Sequence, residues 1–155
     1  MAPSSRLILT RHAQAEHNVT WDGSIHDPPL TALGKKQAGS LAAKLHGLQE
    51  EVDLVVTSPL LRTLQTTRLA WAPAVKRLGI GNVVCLPEAQ ECMDNPCDTG
   101  SSREKLEDLQ ELAGFDFSRL TPDWTSKKVS PPANPSGFSF LFRIKAIRLG
   151  EIFDT

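Results

Sequence analysis

The chain has no excess of charge of either sign, no long apolar run and few cysteines, and each shortage removes a class of function. Seventeen Lys and Arg stand against eighteen Asp and Glu, a formal net charge of -1. Charge therefore points to no nucleic-acid and no membrane partner, and any anion site has to be a local cluster of cations. No apolar stretch approaches the roughly 18 residues that a membrane helix needs. The opening MAPSSRLILTRH turns charged too soon for a signal peptide. Cys85, Cys92 and Cys97 leave one thiol over whatever the pairing and form no C-x-x-C pair, so reduced thiols and a cytoplasmic location are expected. Repeats are absent too. With 155 residues, 40% of them hydrophobic, the chain reads as one domain over 1–155, long enough to bury about two thirds of its unfolded surface.

What is present alternates between strand and helix signals. Leu7–Thr10 is a short apolar run expected to be a buried strand. A polar, breaker-rich stretch from Arg11 to Pro29 reads as a long loop. Thr31 is placed to cap a helix running to about Leu48, with Ala38, Leu41, Ala42, Leu45 and Leu48 at helical spacing. Asp53–Thr57 reads as a second strand, and Ser58-Pro59 as the start of a helix to about Trp71. Val83–Leu86 reads as a third strand and Pro87–Gly100 as loop. Ser101-Ser102-Arg103-Glu104 reads as a capping box opening another helix. Strand, helix, strand, helix, strand predicts an α/β domain, a three-layer α/β/α sandwich on a mostly parallel sheet.

In such sheets ligands collect at the carboxyl ends of the strands. Arg11 and His12 follow the first expected strand, Arg62 lies in the first turn after the second, and Glu91 lies in the loop after the third. Two guanidinium forks, an imidazole and a carboxylate are the tools of phosphoryl transfer. An imidazole nitrogen attacks phosphorus and holds the group. The forks take the equatorial oxygens. The carboxylic acid protonates the leaving oxygen and then activates water. The scheme needs no cofactor. A metal use of His12, Glu16 and His17 is unfavourable: H-x-x-x-E-H matches no zincin spacing, and on a helix the two histidines would diverge by about 140°.

Three segments carry a family resemblance. Arg11-His12-Ala13-Gln14-Ala15-Glu16-His17-Asn18 resembles the RHG signature (here RHA) of the histidine phosphatase superfamily, phosphoglycerate mutase-like branch. Leu30-Thr31-Ala32-Leu33-Gly34-Lys35-Lys36-Gln37-Ala38 is similar to its L-T-x-x-G-x-x-Q-A helix. Thr57-Ser58-Pro59-Leu60-Leu61-Arg62-Thr63-Leu64-Gln65-Thr66 resembles its S-x-L-x-R-x-x-Q-T segment. Cys97–Ser101 and Trp124–Lys127 further resemble a fungal-type branch, so the likeness extends to about residue 128.

The resemblance implies a phosphomonoester hydrolase acting through a phosphohistidine on His12, with Arg11, Asn18 and Arg62 as phosphate ligands. The Gln90-Glu91 pair resembles the place of the acid/base glutamate. The expected partner is a small phosphorylated substrate. The family also places a second histidine, in an H-G pair, after a late hydrophobic strand. In this sequence the last histidine is His46, and Thr155 is reached without that pair. The expectation is thus a C-terminally incomplete, phosphoglycerate mutase-like fold. Its activity is impaired, or it is a non-catalytic phosphate binder or truncated form, or it is a mutase-type phosphotransferase. An absent strand would also favour a homodimer or marginal stability.

Overall fold

The structure, a computed structural model, describes residues 6–127. Residues 12–127 form one compact unit, and Arg6–Arg11 fall outside it. The expected strand at Leu7–Thr10 is not formed: Leu7 and Leu9 are 64% and 39% exposed and no residue of the run is in a strand. A four-residue apolar run becomes a strand only when a neighbour pairs with its backbone, and its own composition does not carry that condition.

Within the compact unit, the stretch expected as loop contains a short helix, α1, His17–Thr20. It closes on Trp21 in the left-handed region, φ 57. Thr31 caps α2, Ala32–Lys44, its side-chain oxygen accepting from the Gly34 N–H at 3.0 Å. The helix expected as far as Leu48 is broken at Leu45, and α3, His46–Glu50, continues after it. Strand β1 is Val56–Thr57. The helix after it, α4, Leu61–Ala70, starts two residues later than Ser58-Pro59 suggested, with Leu60 at the cap position. Helix α5, Ala72–Leu78, leads to β2, Val84–Cys85, and α6 is Arg103–Glu107. Ser102, rather than Ser101, caps α6 by accepting from the Lys105 N–H.

β1 and β2 pair in parallel, Val56 against Val84 and Thr57 against Cys85, and Asp116 extends the sheet through a parallel bridge to Val84. The crossover through α4 and α5 is the βαβ unit that the strand–helix–strand alternation predicts. Helix α4 lies against the sheet, with Thr67 Oγ1 donating to Thr57 Oγ1 at 3.0 Å. Leu60, Leu64 and Trp71 are buried as their helical spacing requires. Among the described residues one sheet face is covered: Val55, Thr57, Val83 and Cys85 are buried, whereas Leu54 and Val56 are 61% and 47% exposed. Parallel sheets are ordinarily covered on both faces, so the described residues amount to two layers. Among them no helix is long and apolar enough to cross a membrane.

Candidate active site

His12 opens the compact unit. Its Nδ1 lies 2.7 Å from the Ala13 carbonyl oxygen. A carbonyl can only accept, so Nδ1 carries the proton and in the neutral ring the lone pair is on Nε2. The ring stands 5.9 Å, centroid to centroid, from that of His17. Asn18 is held locally: its Oδ1 accepts from the Ala15 N–H at 3.0 Å, and its Nδ2 meets His17 Nε2 at 2.9 Å. The asparagine thus shapes the loop that presents the two imidazoles.

That loop is tied to both neighbouring helices. The Gln14 carbonyl accepts from the Thr31 N–H at 3.0 Å, the Gln14 N–H donates to Gln37 Oε1 at 3.1 Å, and Thr31 Oγ1 donates to Gln14 Oε1 at 2.8 Å. The glycine of the L-T-x-x-G segment explains itself here, since a Cβ on Gly34 would fall 2.0 Å from the Gln14 carbonyl oxygen. On the α4 side, the Ala13 N–H donates to Thr66 Oγ1 at 3.1 Å, and that hydroxyl donates to the Arg62 carbonyl at 2.7 Å. Two hydrogen bonds therefore separate the residue after His12 from Arg62.

Arg62 is 1% exposed. Its Nη1 donates to the Cys97 carbonyl at 2.5 Å, and its Nη2 pairs with Asp98 Oδ1 at 3.2 Å. Its Nε–H is buried without a hydrogen-bond partner among the described residues. Both held nitrogens are at the tip of the fork, and the unsatisfied donor is on its flank. A buried charged donor left unmade costs about 1–3 kcal/mol or more, so this flank is where the fork has donor capacity to spare.

Glu91 is exposed. Its backbone, not its carboxylate, joins the network: Lys127 Nζ donates to the Glu91 carbonyl at 2.8 Å, the Asp98 carbonyl at 2.7 Å and Gln90 Oε1 at 2.6 Å. Three acceptors use all three ammonium protons. Burial pushes the Lys127 ammonium below the usual lysine value, with Asp98 chief among the acidic neighbours that oppose the shift. Arg11 lies outside the compact unit, joined to His12 by the peptide bond. His46 heads α3, and His26 is exposed.

The structure thus ties the backbone beside His12 to Arg62 through Thr66, and Asn18 to the same loop at Ala15 and His17. Among the described residues the Glu91 carboxylate has no comparable tie. Three residues with structural weight here were not singled out in the sequence. Asp98 and Lys127 lie inside family-like segments without a role suggested by spacing. Asp27, before Pro28-Pro29, reads only as a turn former. Among the described residues no three His, Cys, Asp or Glu side chains converge as a metal site would.

Comparison with known proteins identifies the family. Residues 7–92 match the model of the histidine phosphatase superfamily (branch 1). A probable phosphatase of Schizosaccharomyces pombe is 30% identical over 119 residues, 76% of this chain and 54% of that protein. Phosphoglycerate mutase-like protein 1 of Arabidopsis thaliana is 33% identical over 149 residues, 74% of this chain and 52% of the relative. Phosphoserine phosphatase 1 of Hydrogenobacter thermophilus is 44% identical over 63 residues, 39% of this chain and 28% of that enzyme. The chain spans about half the length of the first two relatives. No solved structure matches it. On the family match over more than half its length, the chain belongs to the histidine phosphatase superfamily.

Proposed function

We propose that this chain carries the nucleophile and part of the phosphate grip of a phosphomonoester hydrolase. The observation that supports this most is the buried Arg62 fork, its Nε–H unpartnered among the described residues, two hydrogen bonds from the residue after His12. In the first step the Nε2 lone pair of His12 attacks phosphorus as the ester P–O bond breaks, and the leaving oxygen takes a proton from Glu91. In the second, water attacks phosphorus, the P–N bond breaks, and Glu91 receives the water's proton. Arg62 holds the equatorial oxygens through Nε and one Nη2 proton, and Asn18 and, beside His12 in sequence, Arg11 complete the cradle. For Glu91 to act, its exposed carboxylate has to turn toward the leaving group. The sandwich is completed to three layers within a single domain.

A second reading, phosphate binding without turnover, is favoured by the exposure of Glu91 and by the Asp98 carboxylate already resting on Arg62. Hydrolysis of an aryl phosphate without added metal, by the chain and by its His12→Ala variant, separates the two. A rate above buffer that vanishes in the variant supports the hydrolase. Equal, buffer-level rates overturn it.

A further inference from the structure

We infer that Asp27 is a positioning residue for phosphate binding, setting the orientation of the Arg62 fork from both of its ends; this rests on the function proposed above. Asp27 is 4% exposed and sits in the left-handed region at φ 41, a conformation that costs a non-glycine residue energy and is retained where surroundings enforce it. Both carboxylate oxygens are taken by backbone: Oδ1 accepts from the Leu61 N–H and Oδ2 from the Ser101 N–H, each at 2.9 Å. Its own N–H donates to the Pro96 carbonyl at 3.3 Å.

Each tie bears on Arg62. Leu61 is the first residue of α4 and immediately precedes Arg62, so the Oδ1 bond fixes the helix end from which the guanidinium projects. A carboxylate also suits that end of a helix electrostatically. Pro96 and Ser101 bracket Cys97 and Asp98, the residues that receive the tip of the guanidinium. One buried carboxylate therefore holds the base of the arginine and the strap against which its tip rests. With both ends fixed, the Nε–H flank is presented in a single direction.

Only an acid fills this place. Asparagine has one acceptor oxygen, so Asp27→Asn sets an amide N–H against a backbone N–H and releases one of the two ties. Orthovanadate, a phosphate analogue, is the probe, titrated calorimetrically into the wild-type chain, Asp27→Asn, Arg62→Ala and the double variant. Asp27→Asn is expected to weaken vanadate binding by about tenfold, the cost of one lost hydrogen bond. The double variant is expected to bind no more weakly than Arg62→Ala alone, because Asp27 acts through Arg62. Additive losses, or vanadate affinity in a folded Asp27→Asn within about twofold of wild type, overturn the inference. If thermal melting shows that Asp27→Asn does not fold, Asp98→Asn takes its place in the cycle, since it releases the strap from the fork at a less buried position; additivity there also overturns it. Unchanged binding in Arg62→Ala alone would instead sink the proposed phosphate grip itself.

Discussion

Two glycines in one helix should respond to the same substitution with opposite signs. In α2, a Cβ on Gly34 would lie 2.0 Å from the Gln14 carbonyl oxygen and 2.9 Å from its carbon, whereas one on Gly39 meets nothing within 4 Å. The obstacle at Gly34 is backbone, so the helix and the His12 loop must part by about 1 Å before any Cβ fits. Overpacking of this kind costs about 1–3 kcal/mol. It also endangers the Thr31 N–H to Gln14 carbonyl and Gln14 N–H to Gln37 bonds, each contributing about 0.5–1.5 kcal/mol. Against this stands the helix preference for alanine, about 0.5–1 kcal/mol. Gly34→Ala should therefore destabilise the protein by about 2–4 kcal/mol, and Gly39→Ala should stabilise it by about 0.5–1 kcal/mol. Urea unfolding at constant m reads both from the midpoint, and melting should drop by about 2–4 °C for each kcal/mol lost. Equal midpoints, or a Gly34→Ala protein more stable than wild type, would refute the close approach of α2 to the His12 loop.

Two further outcomes follow from the thiols. Burial, then the nearby Asp116 carboxylate, pushes the Cys85 thiol up from 9.0 to about 12. The folded state keeps a proton that the unfolded state releases, so this contribution to stability is intact below about pH 9 and is lost as pH rises toward 12. Denaturation midpoints measured across that range should fall less steeply in Cys85→Val, and parallel slopes would count against the burial. Cys92 is exposed while Cys85 and Cys97 are buried, so an aromatic disulfide reagent should label one thiol quickly in the native protein and the other two only on unfolding. Rapid labelling of a second thiol would contradict the placement of Cys97 beneath Arg62.

What was legible in advance is what local chemistry decides. Thr31 and Ser102 accept from N–H groups three residues ahead, an interaction complete within one turn, and both helix starts were anticipated, Ser102 one residue late. The break of α2 at Leu45 was not, and beyond it Gln49 bonds to atoms 7, 21 and 25 residues away, which local spacing does not show. Leu7–Thr10 has the composition of a strand, yet pairing is a property of two segments and one segment cannot specify it. At the site, Arg62 and His12 were visible as residue types at the right edge of an α/β pattern. The partners of Arg62 lie 35 and 36 residues away, and no spacing rule reaches that far. Glu91 stands out by its place after a strand and by the resemblance of Gln90-Glu91; its carbonyl accepts from Lys127 and the residue is exposed, neither of which a spacing conveys.

At the other end of α4 a neutral side chain performs a different service. Gln49 is 1% exposed, and its amide donates to the carbonyls of Ala42 and Ala70, each at 3.1 Å, and accepts from the Ala74 N–H at 3.2 Å. These atoms belong to α2, α4 and α5, and the amide that joins them belongs to α3. Releasing any one of the helices therefore strands a buried polar group, at a cost of about 1–3 kcal/mol, so a single amide couples the ends of all four.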